Sequence, residues 1–192
     1  MTNHNDQSVY REKIIEHIFV SELLKYDWKH GGCKIDILKP EIDRFGYDIL
    51  VTRNSITRYI QLKTSLETSP VGMQKIHVNL LNTINGSIIW IVINDDLIMK
   101  SFKVIIPSIG TMIGDSNFKM AKHSKSNSDG LKTLRPNIRE IPKARFTETN
   151  NFNVLFKMLF PDQNESAQQG DAPEPDSSRS CLPAATSRPG DL

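Results

Sequence analysis

The sequence of 192 residues has little cysteine and no long apolar run. Its two cysteines, Cys33 and Cys181, form no CxxC pair, so we expect free thiols in a reducing compartment. No apolar stretch reaches the ~18 residues of a membrane-spanning helix. The first residues, MTNHNDQSVYREK, also lack the apolar segment of a secretory signal. We therefore expect a cytoplasmic protein with no membrane partner.

Several patterns that bind cofactors or metals are missing as well. No GxxxxGKS or GxxxxGKT loop occurs, so the chain gives no sign of using ATP. The five histidines show neither HxH nor HExxH spacing, which argues against a zinc site.

Charge is distributed unevenly along the chain. Residues 162–192 contain six acids and two bases, and residues 1–161 contain 16 acids and 22 bases. The acidic segment is rich in Pro, Ala, Ser and Gly and has almost no large apolar side chains, so we predict a disordered tail after a folded domain of residues 1–161. The basic charge of that domain favours a nucleic-acid partner.

The periodicity of apolar residues predicts an α/β domain with a mixed central sheet flanked by helices. The continuous apolar run IIWIVIND predicts a central strand covered on both faces. Ser69 and Pro70 suggest the start of the second helix. The expected elements are a helix at 9–28, strands at 33–38, 46–52 and 57–64, a helix at 69–86, strands at 87–95 and 97–107, an irregular polar region at 108–145, and a helix at 150–161.

The segment GYDILVTRNSITRYIQLKTS, residues 46–65, predicts a hairpin with polar residues inside both strands. A two-residue turn at Asn54-Ser55 would place Asp48 opposite Gln61. Lys63 would then join them on one face, and Arg58 would lie on the other face in a surface role. The predicted apolar face contains Tyr47, Ile49, Val51, Ile60 and Leu62. The alternative is a half-solvated hairpin whose polar residues simply face water.

The order of these elements resembles the PD-(D/E)XK nuclease superfamily. A leading helix with a glutamate is followed by a strand with Asp48, a strand with Gln61-Leu62-Lys63, a helix and another strand. The GYD and QLK motifs resemble the Gln-x-Lys variant of Mrr-type restriction endonucleases and resolvase-like proteins. The likeness covers roughly residues 10–95. Longer segments such as PEIDRFGYDILV and RYIQLKTS also resemble a bacterial family of uncharacterised proteins.

This resemblance implies a restriction-endonuclease-like core with the order α-β-β-β-α-β. It also implies Mg²⁺- or Mn²⁺-dependent hydrolysis of DNA phosphodiesters, in restriction or another form of defence. Asp48, Gln61 and Glu16 would hold the ion through oxygen atoms, and Lys63 would orient or deprotonate the attacking water. Gln61 departs from the commoner acidic residue, which weakens metal binding.

Several alternatives remain open at this point. Glu22 lies on the same helix as Glu16 and could replace it as the metal ligand. Asp36 and Asp43 lie near the motif strand, where Asp43 suits a turn. Because Gln61 is neutral, the chain could also be a catalytically inactive copy that binds nucleic acid or a protein partner in a larger assembly. A homodimer and a partner from a defence system are further options.

A basic stretch at residues 118–146 contains eight Lys or Arg residues and two acids. We predict that Lys122, Lys125, Lys132 and Arg135 contact DNA phosphates. The alternative is a solvated insertion. Few aromatic residues interleave with these bases, so stacking on single-stranded bases is not suggested.

Overall fold

A computed structural model describes residues 7–42, 44–123 and 132–161. The predictions for Asp43, Lys125, Cys181 and the tail at 162–192 lie outside these residues. Within the described part of the chain, no helix is long and apolar enough to cross a membrane. The elements are α1 (Ser8–Tyr26) with a π-helical extension (Asp27–Gly31), β1 (Ile35–Leu38), β2 (Ile49–Arg53), β3 (Ile56–Leu66), β4 (Met73–His77), α2 (Val78–Leu81), β5 (Gly86–Ile93), β6 (Met99–Ile105), β7 (Lys119–Lys122), β8 (Leu134–Pro142), a 3-10 turn (Lys143–Arg145), β9 (Thr147–Thr149) and α3 (Phe152–Leu159).

Six strands form a mixed sheet in the order β1-β2-β3-β5-β6-β9. Strands β3 and β5 are parallel, whereas the other neighbouring pairs are antiparallel. The helices α1 and α3 pack on one face of this sheet through Phe19, Leu23 and Leu155. The predicted mixed α/β fold is confirmed. The order differs from the expected α-β-β-β-α-β in one respect, because an extra strand, β4, precedes α2.

Strand β5 is the buried centre of the sheet, and all eight of its residues are buried. Alternate side chains enter different cores, as the pleat of a strand requires. Ile89 and Ile91 pack with α1 and α3, while Ile88 packs with Ile76 and Ile141 on the opposite face. The prediction of a strand covered on both faces is therefore confirmed.

The second face is covered by a three-stranded antiparallel sheet in the order β4-β8-β7. The helix predicted at 69–86 is wrong: Met73–His77 is a strand, and the helix that follows it spans only Val78–Leu81. Ile76 of β4 pairs with Arg139 of β8, so this strand forms through a partner that is distant in sequence. Such tertiary pairing overrides local helix propensity.

The polar region at 108–145 contributes two of those three strands, so the prediction that it lacks regular structure is also wrong. Strands β7 and β8 pair with each other, with an irregularity at Met120/Ala121. Most side chains of β8 are exposed, and only Ile141 is fully buried. The apolar alternation that marks a half-buried strand is therefore nearly absent from its sequence.

The hairpin of β2 and β3 has the predicted register. Ile49 faces Ile60, Val51 faces Arg58, and the turn lies at Asn54-Ser55. Asn54 has a φ of 54°, a left-handed conformation that asparagine tolerates. Tyr47 departs from the prediction: it lies before the start of β2 and packs against Tyr59 in the second core, with ring centroids 5.1 Å apart.

Arg58 lies on the face opposite Gln61, but its predicted surface role is wrong. The side chain is only 1% exposed. Its Nε donates to the carbonyl of Leu159 at 2.9 Å, and its Nη1 donates to the carbonyl of Pro107 at 2.8 Å. Burial lowers the pKa of Arg58. The guanidinium thus links β3 to the end of α3 and to the chain after β6, a contact with no local signal in the sequence.

Replacing Arg58 by Ala should destabilise the fold by about 3 kcal/mol, because two hydrogen bonds to a charged donor are lost and two carbonyls lose their partners. Urea unfolding at neutral pH measures the change. The exposed Arg145 provides the matched control, and Arg145→Ala should lie within ~0.5 kcal/mol of wild type. Equal stability of the two variants would contradict the structural role of Arg58.

Candidate active site

A cavity of about 370 Å³ lies between the first turns of α1 and strand β3. Glu16 enters it from α1, Asp48 from the residue before β2, and Lys63 from β3. Three of the four predicted catalytic side chains thus line one cavity, although they come from three separate segments.

Glu16 reaches this cavity because it lies at the edge of the apolar stripe of α1. Ile15 and Phe19 of that stripe are buried in the core, and Glu16, which lies between them in sequence, is only 6% exposed. Glu22 does not line the cavity and forms an exposed ion pair with Lys25 at 2.7 Å. Of the two helix glutamates weighed from the sequence, Glu16 is the one that the structure places beside Asp48.

Two lysines hold the carboxylate of Glu16. Lys39 Nζ lies 2.5 Å from Oε1, and Lys13 Nζ lies 3.0 Å from Oε2. Burial acts to raise the pKa of Glu16, but the ion pairs with Lys39 and Lys13 outweigh it, and the pKa lies below the ordinary value of 4.5. The carboxylate is therefore ionised at neutral pH and already surrounded by positive charge.

Asp48 is held in place by the hairpin itself. Its backbone N–H donates to the carbonyl of Ile60 at 2.9 Å, which extends the ladder one residue beyond β2. Its Oδ2 accepts the backbone N–H of Leu62 at 2.7 Å. A hydrogen bond from a main-chain donor fixes the side chain and stabilises its charged form.

Gln61 is directed toward the second sheet rather than into the cavity of Glu16. It lies beside Ile88 of the neighbouring strand and is 8% exposed. Its Oε1 atom is buried without a hydrogen-bond partner among the described residues. Buried polar atoms are normally paired, so an unpaired amide oxygen is a free acceptor for a ligand, a water molecule or an ion.

Gln61 lines an adjoining cavity of about 400 Å³, and Lys63 is common to both cavities. Lys75, His77 and Arg135 of the second sheet complete its polar wall. Arg135 was predicted to contact DNA, but Lys75 and His77 were missed because their segment was assigned to a helix. The alternation in MQKIH, in which Ile76 is buried between two polar residues, is the signal that could have identified this strand.

Gly46 brings the second sheet close to the hairpin. Its φ is 73°, which favours glycine. A Cβ atom at this position would lie 2.8 Å from the Cβ atom of His77, which is closer than van der Waals contact allows. The glycine of the GYD motif therefore permits β4 to approach Gln61.

The remaining predicted residues lie away from these cavities. Lys122 on β7 and Lys132 before β8 are both exposed and line neither cavity. Asp36 is exposed on β1, opposite Thr52 of β2. Among the described residues of the predicted phosphate-binding set, Arg135 is the one that lines a cavity together with Lys63.

The donor set can be compared with the needs of a divalent cation. Within the described residues, no three His, Cys, Asp or Glu side chains are grouped as metal ligands. Glu16 and Asp48 supply two carboxylates to one cavity, and Gln61 supplies an unpaired amide oxygen next to it. Oxygen donors of these kinds suit Mg²⁺ or Mn²⁺. The residues fit in donor type, provided that Lys13 and Lys39 release Glu16.

The comparisons with known proteins add little. No protein-family model matches the chain, and no curated protein matches it. A solved bacterial homing endonuclease is similar at 16% identity, over 82% of this chain and 96% of that chain, with a TM-score of 0.37. Similarity at this level assigns neither a family nor a function.

The lowered pKa of Glu16 predicts a specific dependence of stability on pH. The folded pKa lies below the unfolded value, so the ionised carboxylate stabilises the fold above the ordinary pKa of 4.5, and this stabilisation is lost as pH falls through the folded pKa. Urea unfolding of wild type and Glu16→Gln between neutral and acidic pH measures the effect. The advantage of wild type over Glu16→Gln should shrink on acidification. A constant difference would show that Glu16 makes no such contribution.

Proposed function

We propose that this protein is a metal-dependent endonuclease that hydrolyses DNA phosphodiester bonds. One observation carries the proposal: Lys63 lines both a cavity that contains the carboxylates of Glu12, Glu16 and Asp48 and an adjoining cavity whose charged side chains are basic. A phosphodiester needs positive charge around its non-bridging oxygens and acidic ligands for the ion that assists hydrolysis. Both requirements meet at one side chain.

The roles of the protein groups follow from their positions. Glu16 and Asp48 would hold Mg²⁺ or Mn²⁺ through carboxylate oxygens, and Gln61 would join them through Oε1 only if its side chain turned from the adjoining cavity toward theirs. When bound, the ion would act as a Lewis acid toward the phosphate and lower the pKa of a coordinated water. The ammonium group of Lys63 would orient the attacking water and offset the negative charge that develops on the phosphate oxygens. The hydrogen bond from Leu62 N–H keeps the carboxylate of Asp48 fixed while this occurs.

DNA would be held by basic residues in and next to the strands of the second sheet. The sequence assigns Lys122, Lys125, Lys132 and Arg135 to this role, and Arg135 lines the cavity that Lys63 shares. Phosphate contacts position a nucleic acid without reading its sequence, so these residues would place the strand beside Lys63. Restriction or another form of defence, with a homodimer or a further partner protein, would suit such an enzyme.

A second candidate function is favoured by the ion pairs around Glu16. Lys13 and Lys39 already neutralise this carboxylate, and Gln61 replaces the acid that the resemblance leads one to expect. A site with so little negative charge left would hold a cation weakly. The chain would then be a catalytically inactive member of the fold that binds nucleic acid or a protein partner.

Substitutions at the hairpin should separate the two functions. Lys63→Ala should reduce cleavage by at least about 100-fold, because a positioned proton-transfer group is lost, but should leave metal binding intact. Asp48→Asn should lose both cleavage and metal binding. Nicking of a supercoiled plasmid with Mg²⁺, Mn²⁺ or EDTA measures cleavage, and calorimetry measures metal binding. The exposed Lys100 of β6 supplies the matched control, Lys100→Ala.

Gln61→Glu decides between an active and a silenced site. The added carboxylate should raise metal affinity, and a working enzyme should remain active. If wild type does not cleave DNA but the Gln61→Glu variant does, the natural chain is a catalytically inactive member of the fold. Wild-type cleavage that survives in EDTA would refute the metal-dependent mechanism.

The lysines around Glu16 generate a further prediction. In the double variant Lys13→Gln and Lys39→Gln, the carboxylate of Glu16 loses both cations, so affinity for Mn²⁺ should increase. Calorimetric titration with Mn²⁺ measures the change, and Lys25→Gln, which frees the distant Glu22, serves as the control. An unchanged dissociation constant in the double variant would show that Glu16 does not contribute to a metal site.

A further inference from the structure

The basic cavity continues into a third cavity of about 280 Å³. His77, Arg135 and Ile138 belong to both, and His123 lines the far end. Because neighbouring cavities share lining residues, the three lie in a row from the carboxylates of Glu16 and Asp48 to the second sheet, and we call this row the groove. No acidic side chain lines the second or the third cavity among the described residues.

We propose that Lys75, His77 and Arg135 bind consecutive backbone phosphates of the DNA strand next to the bond that is cut at Lys63. The inference rests on the proposed nuclease function and deepens it, because it assigns the path of the strand to β4 and β8. It moves the main DNA contacts away from Lys122 and Lys132, which lie outside the groove.

The positions of these three side chains favour a binding site for an anionic ligand over a charged surface that contacts only water. Lys75 and His77 are two residues apart on β4, so both side chains project from the same face. Arg135 comes from β8 and lines the same cavity as those two residues. Glu140 lies opposite Lys75 in the strand register but does not line the cavity. Phosphate oxygens are the acceptors that such a set of donors matches.

His77 can act as a neutral hydrogen-bond donor in this groove. Its Nδ1 atom accepts the backbone N–H of Asn79 at 3.1 Å, which assigns the ring proton of the neutral form to Nε2. The Nε2–H group is then available to a phosphate oxygen without any positive charge on the ring. His77 would add affinity without releasing a counterion, whereas each of Lys75 and Arg135 would release about one.

Binding of a short fluorescein-labelled DNA duplex in EDTA tests the proposal without cleavage. In the variant Lys75→Gln with Arg135→Gln, affinity should fall, and the slope of log K against log salt should decrease in magnitude by roughly 1.8 units. His77→Ala should weaken binding, with an unchanged slope at alkaline pH. Lys75 and Arg135 are exposed, so their replacement should leave the fold intact. Unfolding curves in urea verify that the variants are folded.

Two controls sharpen the result. Lys122→Gln with Lys132→Gln removes the same charge from the same sheet outside the groove, and Lys157→Gln removes a charge on α3. Both should bind DNA nearly as well as wild type. Loss of binding in the Lys122 and Lys132 variant, with normal binding in the Lys75 and Arg135 variant, would overturn the proposed path. A wild-type protein that binds no DNA in EDTA would overturn it as well.

The outcome can be separated from that of the nuclease proposal. If wild type fails to cut plasmid but binds the duplex, and the Lys75 and Arg135 variant does not, the strand path stands and the hydrolytic function fails. If wild type cuts and the groove variants bind and cut normally, the hydrolytic function stands and the strand path fails.

Discussion

The parallel pairing of β3 with β5 determines much of this structure. Two adjacent parallel strands cannot be joined by a tight turn, so the chain must cross from one end of the sheet to the other. The crossing here runs from residue 67 to residue 85 and contains β4. Because β4 pairs with β8, the crossing brings a whole second sheet over the face on which Gln61 and Lys63 lie. The surroundings of the β2–β3 hairpin are thus a consequence of one strand pairing.

Local sequence signals were sufficient for the parts of the fold that depend on neighbours along the chain. The turn at Asn54-Ser55 determines the register of the hairpin, and the uninterrupted apolar run predicts the central strand. They failed where the partner is distant. Met73–His77 becomes a strand only because β8 lies beside it, and Arg58 is buried because two carbonyls from remote segments accept its hydrogen bonds. The same limit applies to the site: Asp48 and Lys63 come from the hairpin pattern, whereas Lys75 and His77 depend on the second sheet.

Charge is segregated across the groove in a way that bears on activity. The acidic groups gather at α1, where lysines already compensate Glu16, and the basic groups gather on the second sheet. A phosphate that enters the groove would meet little repulsion from carboxylates until it reaches Lys63. The same compensation that eases the approach of an anion reduces the attraction for a cation. Under the proposed function, binding of DNA and binding of a metal would therefore place opposite demands on the lysines at Glu16.

The contact at Gly46 has a consequence for how this groove can vary. Where the hairpin meets β4, nothing larger than a hydrogen atom fits between the main chain of residue 46 and the side chain of His77. The distance between the two walls is therefore already at its lower limit at this point. Any larger side chain at position 46 would push the two walls apart and widen the groove. The charged and polar residues of the site would stay the same. Position 46 is thus a determinant of the width of the groove and not of its charge.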